Sequence, residues 1–200
     1  MWEHIIYDDF LEPDDLEAVL DSINEHTINS VGKWDLDKYT HAVHSDGSMD
    51  CTLLDEQLVK GLHERYHPKM LGMLMRLCPE KIPLYEYSDF CIVITGRLCR
   101  YPIHTDTRSK ILSGVIYLTP NKNTGTILYS SRGGADKSEI EWKTNKGLFF
   151  ARNETKTWHS YEADGKSNRV VLAYNLCTHK GDLAVTCEGS HDPTEGNTKQ

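Results

Sequence analysis

Apolar positions change their period once along this chain, near residue 84. Before that point Leu16, Val19, Leu20 and Ile23 recur at three- and four-residue steps, which places them on one helical face. Pro13-Asp14-Asp15 opens this helix, with proline in the first turn and acids at the positive end of the dipole. Upstream, Glu3 to Phe10 reads as a short strand entering a turn. Residues 27–50 are polar and contain glycine, with Trp34, Tyr39, His41 and His44 as interruptions, and predict an irregular segment or an edge hairpin. A second helix starts near Cys51 and carries Leu53, Leu54, Leu58, Val59 and Leu62; Pro68 predicts its end or a kink. Met70, Leu71, Met73, Leu74, Met75 and Leu77 then form a short apolar helix stopped by Pro79.

From Leu84 onward the apolar runs are short, rich in β-branched and aromatic residues, and separated by turn residues. They predict strands over 84–87, 90–96, 99–104, 111–119, 126–130, 139–142, 147–150 and 168–177. Gly96, Pro120-Asn121-Lys122-Asn123, Arg132-Gly133-Gly134 and Asp164-Gly165 mark the turns. Many short strands at this spacing indicate an antiparallel sandwich or a jelly roll. The chain therefore reads as mostly β with α: one domain over 1–187, with helices mainly in 13–78 and a β core over about 84–178. A polar tail follows over 188–200.

Composition narrows the function classes. Apolar residues make up 38% and charged residues 26%, both globular values. Lys and Arg number 22 against 30 Asp and Glu, for a net charge of −8. With no basic stripe, a nucleic-acid partner is not expected. No apolar run is long enough for a membrane span and no leader is recognisable, so a cytoplasmic protein is expected. The cysteines Cys51, Cys78, Cys91, Cys99, Cys177 and Cys187 form no Cys-x-x-Cys, and several sit in apolar runs. Reduced, buried thiols are expected, with neither a disulfide framework nor a zinc site.

The chemistry lies in the β half. His104-Thr105-Asp106 places an imidazole and a carboxylate two residues apart, on one face if the segment is a strand. One more imidazole would complete a 2-His-1-carboxylate triad, which suits non-haem Fe(II) and leaves three positions open. His159 is the best third ligand, ahead of His179, His41, His44, His63 and His67, because it follows the Leu148-Phe149-Phe150 run and precedes Arg169. A bidentate 2-oxo acid and dioxygen would fill the open positions. The far carboxylate of that acid needs a cation, and Arg169, ten residues after His159, offers a planar guanidinium.

The ordered set Tyr101-Pro102-Ile103-His104-Thr105-Asp106, Val115-Ile116-Tyr117-Leu118, Gly125-Thr126, Gly147-Leu148-Phe149-Phe150, His159 and Arg169 resembles the Fe(II)/2-oxoglutarate-dependent oxygenase superfamily, in its prolyl-4-hydroxylase-like branch. The resemblance covers roughly residues 85 to 178. It implies a double-stranded β-helix (jelly roll) with N-terminal supporting helices. It further implies Fe(II) on His104, Asp106 and His159, and 2-oxoglutarate as co-substrate with Arg169 on its distal carboxylate. O2 is the oxidant, and ascorbate a possible reductant. The implied reaction is hydroxylation of an aliphatic C–H of a peptidyl, prolyl-like, or small-molecule substrate, with release of succinate and CO2. Halogenating members lack the carboxylate ligand, so Asp106 favours hydroxylation.

The same resemblance places Tyr101 at the pocket and Ser113 near the co-substrate. Tyr117, Arg97, Asn145 and Tyr174 are further candidates to face the cavity. Arg169 stands where prolyl hydroxylases usually carry Lys, and Thr95 where they carry a tyrosine. Residues 27–50 and the Arg132-Gly133-Gly134 loop are expected lids. Two rival classes remain. One is a metal-dependent cupin-type enzyme, whose usual His-x-His pair is absent; the other is a non-catalytic 2-oxoglutarate-binding module.

Overall fold

A computed structural model describes residues 1–180. The tail over 188–200 and Cys187 lie outside the described residues.

Two antiparallel sheets face each other. Their strands are β1 (Ile5–Tyr7), β2 (Leu36–His44), β3 (Met49–Asp50), β4 (Tyr87–Thr95), β5 (Arg100–His104), β6 (Lys110–Thr119), β7 (Ile127–Tyr129), β8 (Ser138–Glu139), β9 (Gly147–Ala151), β10 (Trp158–Glu162) and β11 (Arg169–Cys177). The large sheet runs β1-β9-β6-β11-β4-β2-β3 and the small one β5-β10-β7-β8. This is the jelly roll expected from the strand pattern. β11 pairs antiparallel with β4 along its whole length and with β6 on its other edge. Every residue of β11 is buried, so it forms the spine of the large sheet.

Of the helices α1 (Pro13–Asp21), α2 (Glu25–Ser30) and α3 (Glu56–Leu77), α3 packs against β2, β6 and β9 of that sheet and α1 packs on α3. The Asp55 side chain caps α3 by accepting from the Gln57 amide at 2.8 Å. Its buried stripe of Val59, Leu62, Tyr66, Met70, Met73 and Leu74 has helical spacing and joins the main core with Phe90, Ile92, Leu172 and Tyr174. Pro68 does not end this helix, against expectation. Pro68 and Glu64, one turn earlier, both face solvent. Water can therefore satisfy the carbonyl that a proline leaves without an amide, while the buried stripe offsets the cost of about 3 kcal/mol.

Other expectations shift for physical reasons. Residues 79–84 form a 3-10 helix rather than leading into a strand at 84–87, and β4 begins at Tyr87. The segment 139–142 contributes only its first residue to a strand, β8. Residues 27–50 hold most of α2 and the nine-residue β2, an integral strand of the large sheet. They read as irregular because one face of β2 looks into the cavity described below. β10 was not expected at all: its sequence, WHSYE, shows no apolar alternation because His159, Ser160 and Tyr161 line a cavity rather than an apolar core. Cys51, Cys91, Cys99 and Cys177 are free thiols. Cys78 is disulfide-bonded, which corrects the all-thiol expectation, since sequence spacing does not report which sulfurs meet in space. The thiol argument for a reducing compartment weakens accordingly. Among the described residues no helix is long and apolar enough to cross a membrane.

Candidate metal centre

His104 ends β5 and His159 lies second in β10, and the two are direct partners in the antiparallel ladder. Cross-strand partners bring their side chains together on one face, and the two rings sit 4.3 Å apart. A bulge between His159 and Tyr161 locally re-aims β10. Asp106 lies two residues beyond β5, in the connection to β6, so the strand-face argument does not place it. Arg152 does: its Nε donates to the Asp106 carbonyl at 2.6 Å. Ligand atoms of His104, Asp106 and His159 all fall within 4.8 Å of one another.

The donor set suits a divalent ion. Nδ1 of His104 is 2.9 Å from the Pro102 carbonyl, and Nδ1 of His159 is 3.0 Å from the Thr157 carbonyl. A carbonyl only accepts, so each Nδ1 carries the proton and each Nε2 keeps its lone pair. His104 Nε2 stands 4.0 Å from Asp106 Oδ1, too far for a hydrogen bond and short enough for a shared ion with bonds of about 2.0–2.2 Å. Burial lowers the His159 pKa, with His104 adding to it against the opposing pull of Asp106, which favours the neutral, ligating imidazole. Burial by itself would raise the Asp106 carboxyl. Lys110, His159, the Ser113 hydroxyl and His104 outweigh it and hold the group well below the usual carboxylate range. Ser113 Oγ donates to Asp106 Oδ2 at 2.5 Å, and Lys110 Nζ lies 3.3 Å from Oδ1.

A cavity of about 130 Å³ opens from the triad between the sheets. Val93, Val115, Val171 and Ala173 give it apolar walls, and Arg169 shares the same lining. Arg169 is 6% exposed, and its guanidinium has no carboxylate partner among the described residues. Its Nε donates to Thr95 Oγ1 at 3.3 Å, one Nη donates to the Thr124 carbonyl at 3.2 Å, and it stacks 3.2 Å over the Tyr161 ring. Burial lowers it from 12.5 to about 10, which Tyr161, Tyr117 and Cys99 only partly oppose. An unpaired buried cation at the edge of a cavity is an unmet demand for an anion.

Tyr101 also lines the cavity, its ring edge-on to His104 at 4.6 Å. Ser113 is placed against the Asp106 carboxylate rather than in the cavity lining. Tyr117, Arg97, Asn145 and Tyr174 do not line the cavity. Tyr117 donates to Thr126 Oγ1 and stacks on Trp142. Asn145 bridges the amide and carbonyl of Leu11. Tyr174 stacks on Phe90 on the helix side of the sheet. The Arg132-Gly133-Gly134 loop packs toward Ile103 and Tyr129 and contributes no lining residue. From 27–50, Leu36 and Lys38 line the cavity.

Sequence reasoning missed Tyr161, Thr124, Lys38 and Lys110, and singled out Thr95 only as standing where prolyl hydroxylases carry a tyrosine. Tyr161 had a usable signal, since it stands two residues after His159, and Lys110 stands four after Asp106. Thr95 faces Arg169 only through strand register.

No family model matches the chain. No curated protein matches it in sequence. Solved structures do. A Pseudomonas putida prolyl-4-hydroxylase superposes with TM-score 0.59 at 11% identity, over 89% of this chain and 94% of that one. A Trichoplax adhaerens prolyl hydroxylase, in complex with a peptide fragment of the hypoxia inducible factor oxygen degradation domain, gives TM-score 0.61 at 14% identity. It covers 89% of this chain and 84% of that one. The non-haem alpha-ketoglutarate-dependent carbocyclase SnoK from nogalamycin biosynthesis gives 0.51 at 12%, over 88% and 79%. The chain has the prolyl-hydroxylase-like jelly-roll fold of these oxygenases.

Proposed function

We propose that this protein is an Fe(II)/2-oxoglutarate-dependent dioxygenase. In this reading it hydroxylates an aliphatic C–H and releases succinate and CO2. One observation carries the reading: a triad with its lone pairs converged and a buried guanidinium without a carboxylate line a single cavity. A metal-binding structural site has no use for the second feature, and a simple anion site has none for the first.

His104, Asp106 and His159 would hold the iron. When bound, the iron supplies the activation of O2 coupled to oxidative decarboxylation of 2-oxoglutarate. The chain's own groups do the rest. Nδ1–H bonds to Pro102 and Thr157 keep both rings turned with Nε2 inward. Ser113 orients the carboxylate. Arg169 takes the distal carboxylate of the co-substrate, and Thr95, Thr124 and Tyr161 hold the guanidinium flat against it. The valine walls exclude water, which strengthens that ion pair. Tyr101, 37% exposed, flanks the mouth by which a prime substrate enters. A peptidyl side chain, prolyl-like, is the first substrate class, since the Trichoplax neighbour is seen with a peptide; a small molecule is the second.

The test is succinate formation from 2-oxoglutarate under air, with Fe(II) and ascorbate, in wild type and His104→Ala. Metal-dependent succinate that the variant loses is the expected result. If 2-oxoglutarate fails to bind the metal-loaded protein under anaerobic conditions, the assignment is wrong. Tight binding of both without turnover, even with peptide and metabolite libraries present, would leave a binding module instead.

A further inference from the structure

Both oxygens of the Asp106 carboxylate have a protein partner. Ser113 Oγ occupies Oδ2 and the Lys110 ammonium sits against Oδ1. A divalent cation drawn in by His104 and His159 would meet that ammonium across the same carboxylate. Like charges on one oxygen repel strongly where water is scarce, so one of them has to leave.

The concave sheet face offers a destination. Asp89 Oδ1 and Asn175 Oδ1 are buried and have no hydrogen-bond partner among the described residues. The two residues are cross-strand partners on β4 and β11, and Asn175 Nδ2 donates to Asp89 Oδ2 at 3.0 Å. That bond leaves one oxygen of each without a donor. Lys110 opens β6 opposite Cys177, and Asn175 lies two residues away on the same strand, opposite Ser113. Alternation along β11 puts Cys177 and Asn175 on one face, and register adds Lys110 and Asp89 to that face. An ammonium has three donors and no acceptor, which is what two orphaned acceptors lack. Leaving them unmet is costly.

We propose that Asp89 and Asn175 are a second berth for Lys110: the ammonium neutralises Asp106 in the metal-free protein and moves to Asp89 and Asn175 when a divalent cation binds. The inference rests on the metal-centre reading. Asp89 is then a positioning residue that tunes metal affinity without touching the metal.

Mn2+, redox-stable and suited to this ligand set, is the probe, titrated calorimetrically into wild type, Asp89→Asn, Lys110→Met and the double variant. Asp89→Asn should weaken Mn2+ about tenfold. Lys110→Met should tighten it, and Asp89→Asn should have no further effect in that background, because nothing is left to relocate. Lys110→Met should also lower the melting temperature of the metal-free protein by more than that of the Mn2+-loaded one, because the lysine has a partner in both states but gives up the stronger one to the metal; a merely structural lysine would lower both equally. Equal losses from Asp89→Asn in both backgrounds, or no loss in either, overturn the berth while wild-type binding keeps the metal centre. Should Asp89→Asn not fold, Lys110→Met alone decides, and weaker or unchanged Mn2+ binding overturns the proposal. Wild type that does not bind Mn2+ at all sinks the metal-centre reading itself.

Discussion

Arg169→Met separates the anion-site reading from a structural one. Burial takes the guanidinium from 12.5 to about 10, and a displacement of that size corresponds to about 3 kcal/mol of desolvation cost. The sign follows from the folded value lying below the unfolded one. Both states are charged at neutral pH, so the cost is present in full below pH 10 and is relieved only above it. A carboxylate set against Arg169 removes that cost. Loss of the arginine should therefore weaken 2-oxoglutarate by about two to three orders of magnitude, at about 1.36 kcal/mol per tenfold.

Stability should respond quite differently. The variant sheds the buried charge. It also loses the stacking on Tyr161, worth about 1–2 kcal/mol, and the bonds to Thr95 and Thr124, about 1 kcal/mol each. These contributions nearly cancel, so the melting temperature of the ligand-free protein should move by only a few degrees. Anaerobic calorimetry with Mn2+-loaded protein, paired with thermal melts, reads both quantities. Affinity retained within threefold, or a stability loss above about 3 kcal/mol, would refute the reasoning, because Arg169 would then be a structural cation.

Arg152→Met should weaken metal binding about 10–100-fold while leaving the global fold stable, since its Nε bond fixes the turn that carries Asp106; unchanged Mn2+ affinity would show that the turn holds itself. Gly125→Ala would place a Cβ 1.7 Å from the Ile140 carbonyl oxygen, a backbone atom that cannot swing aside. Denaturant titration should show a loss of about 3 kcal/mol or more, and under 1 kcal/mol would contradict the packing. His63 and His67 stack one turn apart on α3 at 4.5 Å, with both Nδ1 atoms buried and without a hydrogen-bond partner among the described residues. Burial, with His63 adding to it, lowers His67 to about 4, and burial also lowers His63. Unfolded imidazoles take up protons near 6.5 while these do not, so stability is full above pH 6.5 and falls as pH drops toward 4. Thermal melts across that range should show the decline, and His67→Phe should reduce it; an unchanged slope would place the acid sensitivity elsewhere.

By itself the sequence determined the broad architecture and picked out the candidate site residues. Strand positions with one buried face announce themselves through apolar runs, as in β6, β9 and β11, and α3 through its stripe at helical spacing. His104, Asp106, His159 and Arg169 were legible because their types and order are chemically restrictive. Strands that spend their inward positions on chemistry were not legible: β10 carries His159 and Tyr161, and β2 carries Leu36 and Lys38 into the cavity, so neither alternates. Pairing between strands lay equally out of reach. Only register sets Thr95 beside Arg169 and Asn175 beside Asp89. Only the tertiary fold brings Arg152 onto the Asp106 carbonyl, 46 residues away in sequence. The physical reason is common to all of these. Local periodicity reports burial against a core, whereas a polar side chain aimed into a cavity has a partner chosen by the closed sheet, and that partner leaves no local trace.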